Sequence, residues 1–249
     1  MKRWILAGVA WGFAGSLWAA DVPAVLQWSQ RVELSPRVSG LVASVAVNVG
    51  DRVKAGQALL TLDNRLYQAK VAEGAAAKRR LSSEAAQAKI DLGRVQELYD
   101  RTVISTSELD QAKLRNNRTQ AQLREAEARL AQDSKDLADA TLRAPFAGVV
   151  VERRVEPGQN VVVGLQPLPL LALAKSGEML ARMKLTEGQI QKLKNGQAVT
   201  VSVGNRTYPG QIKTLALEPS GSGKEGPSYQ ADAVFSSADT LRAGSAALV

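Results

Sequence analysis

The sequence predicts a mixed α+β protein: a flattened β-sandwich split by a long antiparallel helical hairpin, followed by a small β-barrel. Three observations predict it. Two short stretches repeat at a fixed offset of 108 residues. The segment between them carries a sustained 4-3 apolar spacing. The last third returns to short alternating runs punctuated by glycine.

The repeat comes first. Ser39-Gly40-Leu41-Val42 matches Ala147-Gly148-Val149-Val150, and Val49-Gly50-Asp51-Arg52-Val53 matches Pro157-Gly158-Gln159-Asn160-Val161. At the same offset Leu60 and Leu62 fall opposite Leu168 and Leu170. Each copy holds β-branched and apolar runs with a glycine where the chain must reverse, and reads as about four short strands. Half a sandwich cannot cover its own apolar face, so the two copies are expected to pack on each other.

Between the copies the period changes. One series runs Tyr67, Val71, Gly74, Lys78, Leu81, Ala85, Ala88, Leu92, Val95, Tyr99, with eight of ten apolar. A second runs Leu109, Ala112, Asn116, Thr119, Leu123, Ala126, Leu130, Asp133, Leu137, Ala140, with seven of ten apolar. Sustained heptads specify a coiled coil, and alanines in both seams let the backbones approach closely. No proline lies between Pro36 and Pro145 to break either helix. Ser105-Thr106-Ser107-Glu108 is a capping box, so a helix starts there and a tight turn is expected near Asp100–Ile104. About 35 residues per arm, at 1.5 Å each, give a rod of roughly 50 Å. It is expected to project from the sandwich, tip outward, and its use is reach.

From Gly177 short elements return. Leu180–Leu185 alternates as a strand, Thr186–Lys194 reads as a short helix ended by Asn195-Gly196, and Ala198–Val203 alternates again. Tyr208-Pro209-Gly210 reads as a turn before a strand at Gln211–Leu217. Pro219–Pro227 reads as a flexible loop, and Tyr229–Phe235 and Ala246–Val249 as further strands. Several strands and one helix in about 70 residues fit a small barrel, closed with help from the N-terminal strand around Val22–Val32. Met179 and Met183, four apart on one strand face, are expected in its core.

Composition excludes whole classes of chemistry. The 249 residues contain no Cys and no His. Disulfides, thiolate nucleophiles, Cys- or His-based metal sites and Ser-His-Asp triads are therefore excluded. Aromatics are 4 %, and the net charge of +8 is spread without a Lys/Arg block, which disfavours a nucleic-acid partner. No constellation of carboxylates, Lys and hydroxyls suggests an enzyme, and no cofactor is expected. Lys2 and Arg3, the apolar run Trp4–Phe13 and small residues to Ala20 read as a secretory leader. That run is shorter than the ~20 residues of a spanning helix. With no cysteine after it, a lipoprotein is excluded.

The chain resembles the periplasmic adaptors, or membrane fusion proteins, of the HlyD/AcrA-like family. Arg37-Val38-Ser39-Gly40, the stretch Val49–Leu60 and the stretch Leu142–Val150 are similar to its two lipoyl half-motifs. Gly196–Val201 and Leu241-Arg242-Ala243-Gly244 are similar to its barrel signatures. The resemblance implies a leader at 1–20, an N-terminal strand at 21–34, a lipoyl-like domain from 35–63 and 143–174, a hairpin at 64–142 and a barrel at 175–249. It implies a chain that ends within the barrel, without a full membrane-proximal domain. The implied function is that of an adaptor linking an inner-membrane transporter of the resistance-nodulation-division (RND) class to a TolC-like outer-membrane channel, for efflux of small molecules. The implied assembly is a homo-oligomer, a trimer or hexamer, in the periplasm and held at the inner membrane by the transporter. An adaptor for an ABC exporter or type I secretion system, and a free periplasmic coiled-coil scaffold, remain as alternatives.

Arg94, Leu98 and Ser105 stand at the spacing R-x3-L-x6-S beside the hairpin turn. The resemblance implies that these three dock the channel. Arg94 and Leu98 lie one helical turn apart and share a face. Leu98 suits a groove between channel helices, and Arg94 suits backbone carbonyls there. The alternative for each is structural: seam packing for Leu98, a solvated charge for Arg94, a helix cap for Ser105. Lys70 does not qualify as a carrier lysine, because the hairpin stands where such a lysine would sit and no Met-Lys-Met occurs. Asp133 and Asp136, with Lys135 between them, read as solvated helix-face charges.

Overall fold

The structure, a computed structural model, describes residues 21–164, 169–223, 226–238 and 241–249. The leader expected at 1–20, and Leu168 of the repeat, lie outside these residues. In chain order the elements begin with β1 (Pro23–Trp28), β2 (Arg31–Leu34), β3 (Gly40–Val45), β4 (Arg52–Val53) and β5 (Ala58–Leu62). Two long helices follow, α1 (Arg65–Asp100) and α2 (Thr106–Asp139). Next come β6 (Thr141–Arg143), β7 (Gly148–Arg153), β8 (Asn160–Val161), β9 (Leu171–Lys175), β10 (Glu178–Thr186) and the short α3 (Glu187–Ile190). The chain continues through β11 (Ala198–Val203), β12 (Arg206–Leu215), β13 (Gly221–Gly223), β14 (Gly226–Ser236) and β15 (Ala246–Leu248). These elements form two units, one of residues 30–176 and one that joins the N-terminal stretch through Ser29 to Gly177–Val249.

The 30–176 unit contains two four-stranded sheets, ordered β2-β9-β7-β4 and β6-β5-β3-β8. Neither copy of the repeat builds a sheet alone. β3 of the first copy pairs with β8 of the second, Gly40 opposite Val161. β4 of the first pairs with β7 of the second, Val53 opposite Gly148. An offset of 108 converts one pairing into the other. The backbone bonds follow the same exchange: Val42 N donates to Gln159 O at 2.9 Å, and Val150 N to Asp51 O at 3.0 Å. Gly50 and Gly158 close equivalent turns at φ of 95° and 86°, a conformation that a Cβ disfavours. Both copies also carry a bulge at the same place, between Val42 and Ser44 and between Val150 and Glu152.

The offset changes in the last strand of each copy. Val42 faces Leu62, whereas Val150 faces Leu173. Leu60 and Leu62 therefore correspond to Leu171 and Leu173, and not to Leu168 and Leu170. Three extra residues in the connection after Val161 cause the shift. Leu59, Leu60, Leu62, Leu170, Leu171 and Leu173 are all almost wholly buried and form the centre of the sandwich core with Val42 and Val150. Each such leucine contributes roughly 1.5–3 kcal/mol by leaving water.

The hairpin helices contain 36 and 34 residues, about 50 Å each. Every position of the two expected seam series is buried or half-buried. Gly74 lets α1 approach Leu130, whose Cα would lie 3.5 Å from a Cβ at that glycine. Lys78 Nζ reaches Glu127 Oε1 across the pair at 3.2 Å. At the base, Tyr67 donates its hydroxyl to Ser39 O at 2.7 Å, tying α1 to the sandwich. Thr141 and Leu142, expected at the end of the hairpin, instead belong to β6, which pairs with β5 and so extends a sandwich sheet.

In the other unit, β10, β1, β15, β11, β12 and β14 follow one another, and β10–β14 pairing closes a six-stranded antiparallel barrel. Leu26, Met179, Met183, Val201, Ile212 and Phe235 fill it. Arg182 and Asp232 stand opposite each other on β10 and β14, joined by two bonds of 2.8 and 2.9 Å. The Asp232 carboxylate raises the Arg182 guanidinium above its ordinary pKa, chiefly through the side-chain hydrogen bond.

Several elements differ from the sequence-based expectation. The N-terminal stretch 21–34 is two strands: β1 enters the barrel and β2 enters the sandwich, pairing with β9. Tyr208-Pro209-Gly210 lies inside β12, and the chain reverses earlier, at Gly204-Asn205, with Gly204 at φ 58°. β12 pairs with β14 only from Gly210 onward, so Pro209 sits where one side of the strand has no ladder. The helix expected at Thr186–Lys194 is regular only over Glu187–Ile190. Within Pro219–Pro227, Gly221–Gly223 forms β13 against β14.

Candidate partner-docking site at the hairpin tip

α1 ends in a Schellman motif. Val103 N donates to Leu98 O at 3.0 Å and Thr102 N to Tyr99 O at 2.8 Å. Thr102 occupies the left-handed position at φ 60°, where glycine is usual, and it is the only non-glycine residue with positive φ among the described residues. The motif brings the last turn of α1 against the residue that follows Thr102. Leu98 and Val103 thus become neighbours at the tip, 41 % and 66 % exposed.

Ser105 then starts α2. Its Oγ accepts from Glu108 N at 3.4 Å, and the Glu108 carboxylate receives Ser105 N at 2.9 Å and Ser105 Oγ at 3.2 Å. The capping box is complete, and in this structure the hydroxyl works within its own helix end.

An open groove of about 600 Å³ runs beside the tip between the two helices. Val95, Leu98, Ile104 and Ala112 supply apolar lining. Arg94 stands on the rim, its side chain 72 % exposed and its Nη1 3.8 Å from Asp91 Oδ1, beyond hydrogen-bond reach. The structure therefore brings Arg94 and Leu98 to one groove and leaves Ser105 off it. Leu98 is exposed, whereas Val95 and Tyr99 of the expected seam series are half-buried. Sequence reasoning does not single out Val103, Ile104, Gln111 or Arg115. The apolar pair Val103-Ile104 inside the expected tight turn was the available signal.

Other candidates are structural. Lys70 Nζ lies 5.9 Å from the centre of the Tyr67 ring on the same helix. Lys135 pairs with Asp139, and Asp136 accepts from Gln132 at 2.8 Å. Met179 and Met183 are 3 % and 2 % exposed in the barrel core. Among the described residues no group of acidic side chains is arranged to hold a metal ion, and no helix is long and apolar enough to cross a membrane.

Residues 30–164 match the family described as CzcB-like, barrel-sandwich hybrid domain. The chain belongs to this family of periplasmic adaptor, or membrane fusion, proteins. The adaptor is 29 % identical over 207 residues to the macrolide export protein MacA of Yersinia pestis, across 76 % of this chain and 56 % of that one. It thus spans just over half the length of that relative. Its fold is shared with the membrane fusion protein Spr0693 of Streptococcus pneumoniae R6, with a TM-score of 0.72 at 16 % identity, covering 92 % of this chain and 96 % of that one. A MacA–MexA chimera carrying the Pseudomonas aeruginosa MexA α-hairpin superposes with a TM-score of 0.66 at 20 % identity, over 92 % of this adaptor and 76 % of the chimera.

Proposed function

We propose that the adaptor links an inner-membrane transporter of the RND class to a TolC-like outer-membrane channel, and so serves the efflux of small molecules. It works in the periplasm as a homo-oligomer of three or six copies, held at the inner membrane by its transporter. Arg94 and Leu98 make the channel contact, and Ser105 sets the start of α2 so that the tip keeps its shape. The observation that carries this is the exposed Arg94–Leu98 pair lining one groove beside the turn of the hairpin. The strained Thr102 supports it, because backbone strain is kept where a site needs a particular shape. The RND assignment rests on the spacing of Arg94, Leu98 and Ser105. The name of the MacA relative, a macrolide export protein, supports export of a small molecule.

Arg94→Asp and Leu98→Asp are the test. Both positions are exposed, so both variants fold with wild-type circular dichroism. Both are expected to abolish export of the pump's substrate from cells that depend on this adaptor. Wild-type export in both overturns tip docking. Co-purification with an ABC transporter overturns the RND assignment.

A further inference from the structure

We propose that Arg115 of α2 is a second guanidinium of the tip groove, and that Arg94 and Arg115 together select a protein partner that presents hydrogen-bond acceptors on both sides of an apolar ridge. The inference rests on the docking function proposed above and adds the chemistry of the partner's contacting element.

The groove has one arginine from each helix, Arg94 from α1 and Arg115 from α2. Each of its acidic groups holds a hydrogen bond within its own helix end or turn. Glu108 closes the capping box with Ser105, and Asp91 accepts from Gln87 at 2.8 Å. Arg94 has only its long approach to Asp91. Arg115 has no ion pair or hydrogen bond among the described residues, and its side chain is exposed. Each guanidinium carries five N–H donors and no acceptor. The groove thus offers two donor forks, from opposite helices, around an aliphatic floor.

That arrangement fits the end of a helix. The last four carbonyls of a helix lack partners, and its C-terminal end carries partial negative charge. Flanking apolar side chains would fill the floor over Val95 and Ala112. A single cation on one helix would hold such an element from one side only; two, on facing helices, fix its orientation across the groove.

The test uses the purified full-length adaptor and a detergent-solubilised TolC-type channel trimer from the same cells, with Kd measured as a function of salt. Arg115→Gln is expected to raise Kd roughly tenfold, as Arg94→Gln does, and to flatten the salt dependence. Arg115→Lys is expected to restore the salt dependence and only part of the affinity. Leu114→Ser, at an exposed position off the groove, is expected to leave Kd unchanged. If Arg94→Gln weakens binding and Arg115→Gln does not, the role of Arg115 is overturned and tip docking stands. If the wild-type adaptor does not bind the trimer, tip docking falls and this inference with it. If Arg115→Gln abolishes binding to phosphatidylglycerol vesicles and leaves channel binding unchanged, Arg115 faces a membrane surface and the proposal is overturned.

Discussion

Gly148 lies so close to Ala174 that a Cβ added to it would stand 2.2 Å from the Ala174 carbonyl oxygen. The contact is with backbone, which cannot rotate away. A Cβ at its counterpart in the first copy, Gly40, would meet Leu62 at 3.5 Å and the Asp63 carbonyl oxygen at 4.0 Å, both ordinary contacts.

Gly148→Ala should therefore destabilise the sandwich by about 3 kcal/mol, at the upper end of overpacking costs. Gly40→Ala should change stability by less than about 0.5 kcal/mol. Thermal unfolding of the two variants checks this, and equal melting temperatures would show that the two copies tolerate a Cβ alike.

Thr102 adopts a conformation that disfavours a β-branched side chain. Thr102→Gly should stabilise the hairpin by about 1 kcal/mol, read as a rise in melting temperature. A fall in melting temperature would mean that the bond from Thr102 Oγ1 to Arg101 O, at 2.6 Å, outweighs the relief of strain.

Asn116 presents a buried Oδ1 without a hydrogen-bond partner in the seam. The contacts Lys78–Glu127 and Tyr99–Thr106 set an antiparallel register that places Asn116 opposite Ala88. Polar residues at such positions cost stability and specify alignment. Asn116→Leu should raise stability by about 1–2 kcal/mol, since Ala88 leaves room for the larger side chain. Hydrogen exchange at Ala85–Leu92 should slow accordingly; faster exchange there would count against the assignment of a costly polar layer.

Asp63 accepts hydrogen bonds from the Arg65 side chain and backbone, which lower its pKa from 3.8 to about 2. A depressed carboxyl stabilises the folded form above its ordinary pKa, and that contribution is lost as the pH falls from about 4 to about 2. The pair lies at the surface, so salt should weaken it. Titration of the Asp63 carboxyl by NMR should give a midpoint near 2 at low salt, moving toward 4 in Arg65→Ala. A midpoint near 4 in the wild-type protein would remove the effect.

The long elements were legible because they obey simple periods. The heptad positions from Tyr67 to Ala140 had to face a partner, and they do. The capping box at Ser105–Glu108 marked the start of α2 to the residue. Short elements were less legible because competing signals sat close together. Pro209-Gly210 resembles a turn more strongly than Gly204-Asn205, yet the strand passes through the first pair and reverses at the second. Leu168 and Leu170 matched the leucines of the first copy by offset alone; the insertion after Val161 becomes visible only once Leu173 is seen opposite Val150. At the tip, the spacing put Arg94 and Leu98 on one face of α1 beside the turn, and both line the groove. Arg115 could not be read from spacing, because its place in the groove depends on how α2 returns beside α1.

The exchange of strands between the two copies makes the sandwich a clasp. Residues on either side of the hairpin turn are held together by β3 with β8 and β4 with β7, and by one shared set of leucines. Proteolytic nicking between Arg101 and Ile104 would yield two fragments that stay associated, each supplying the strands that the other lacks.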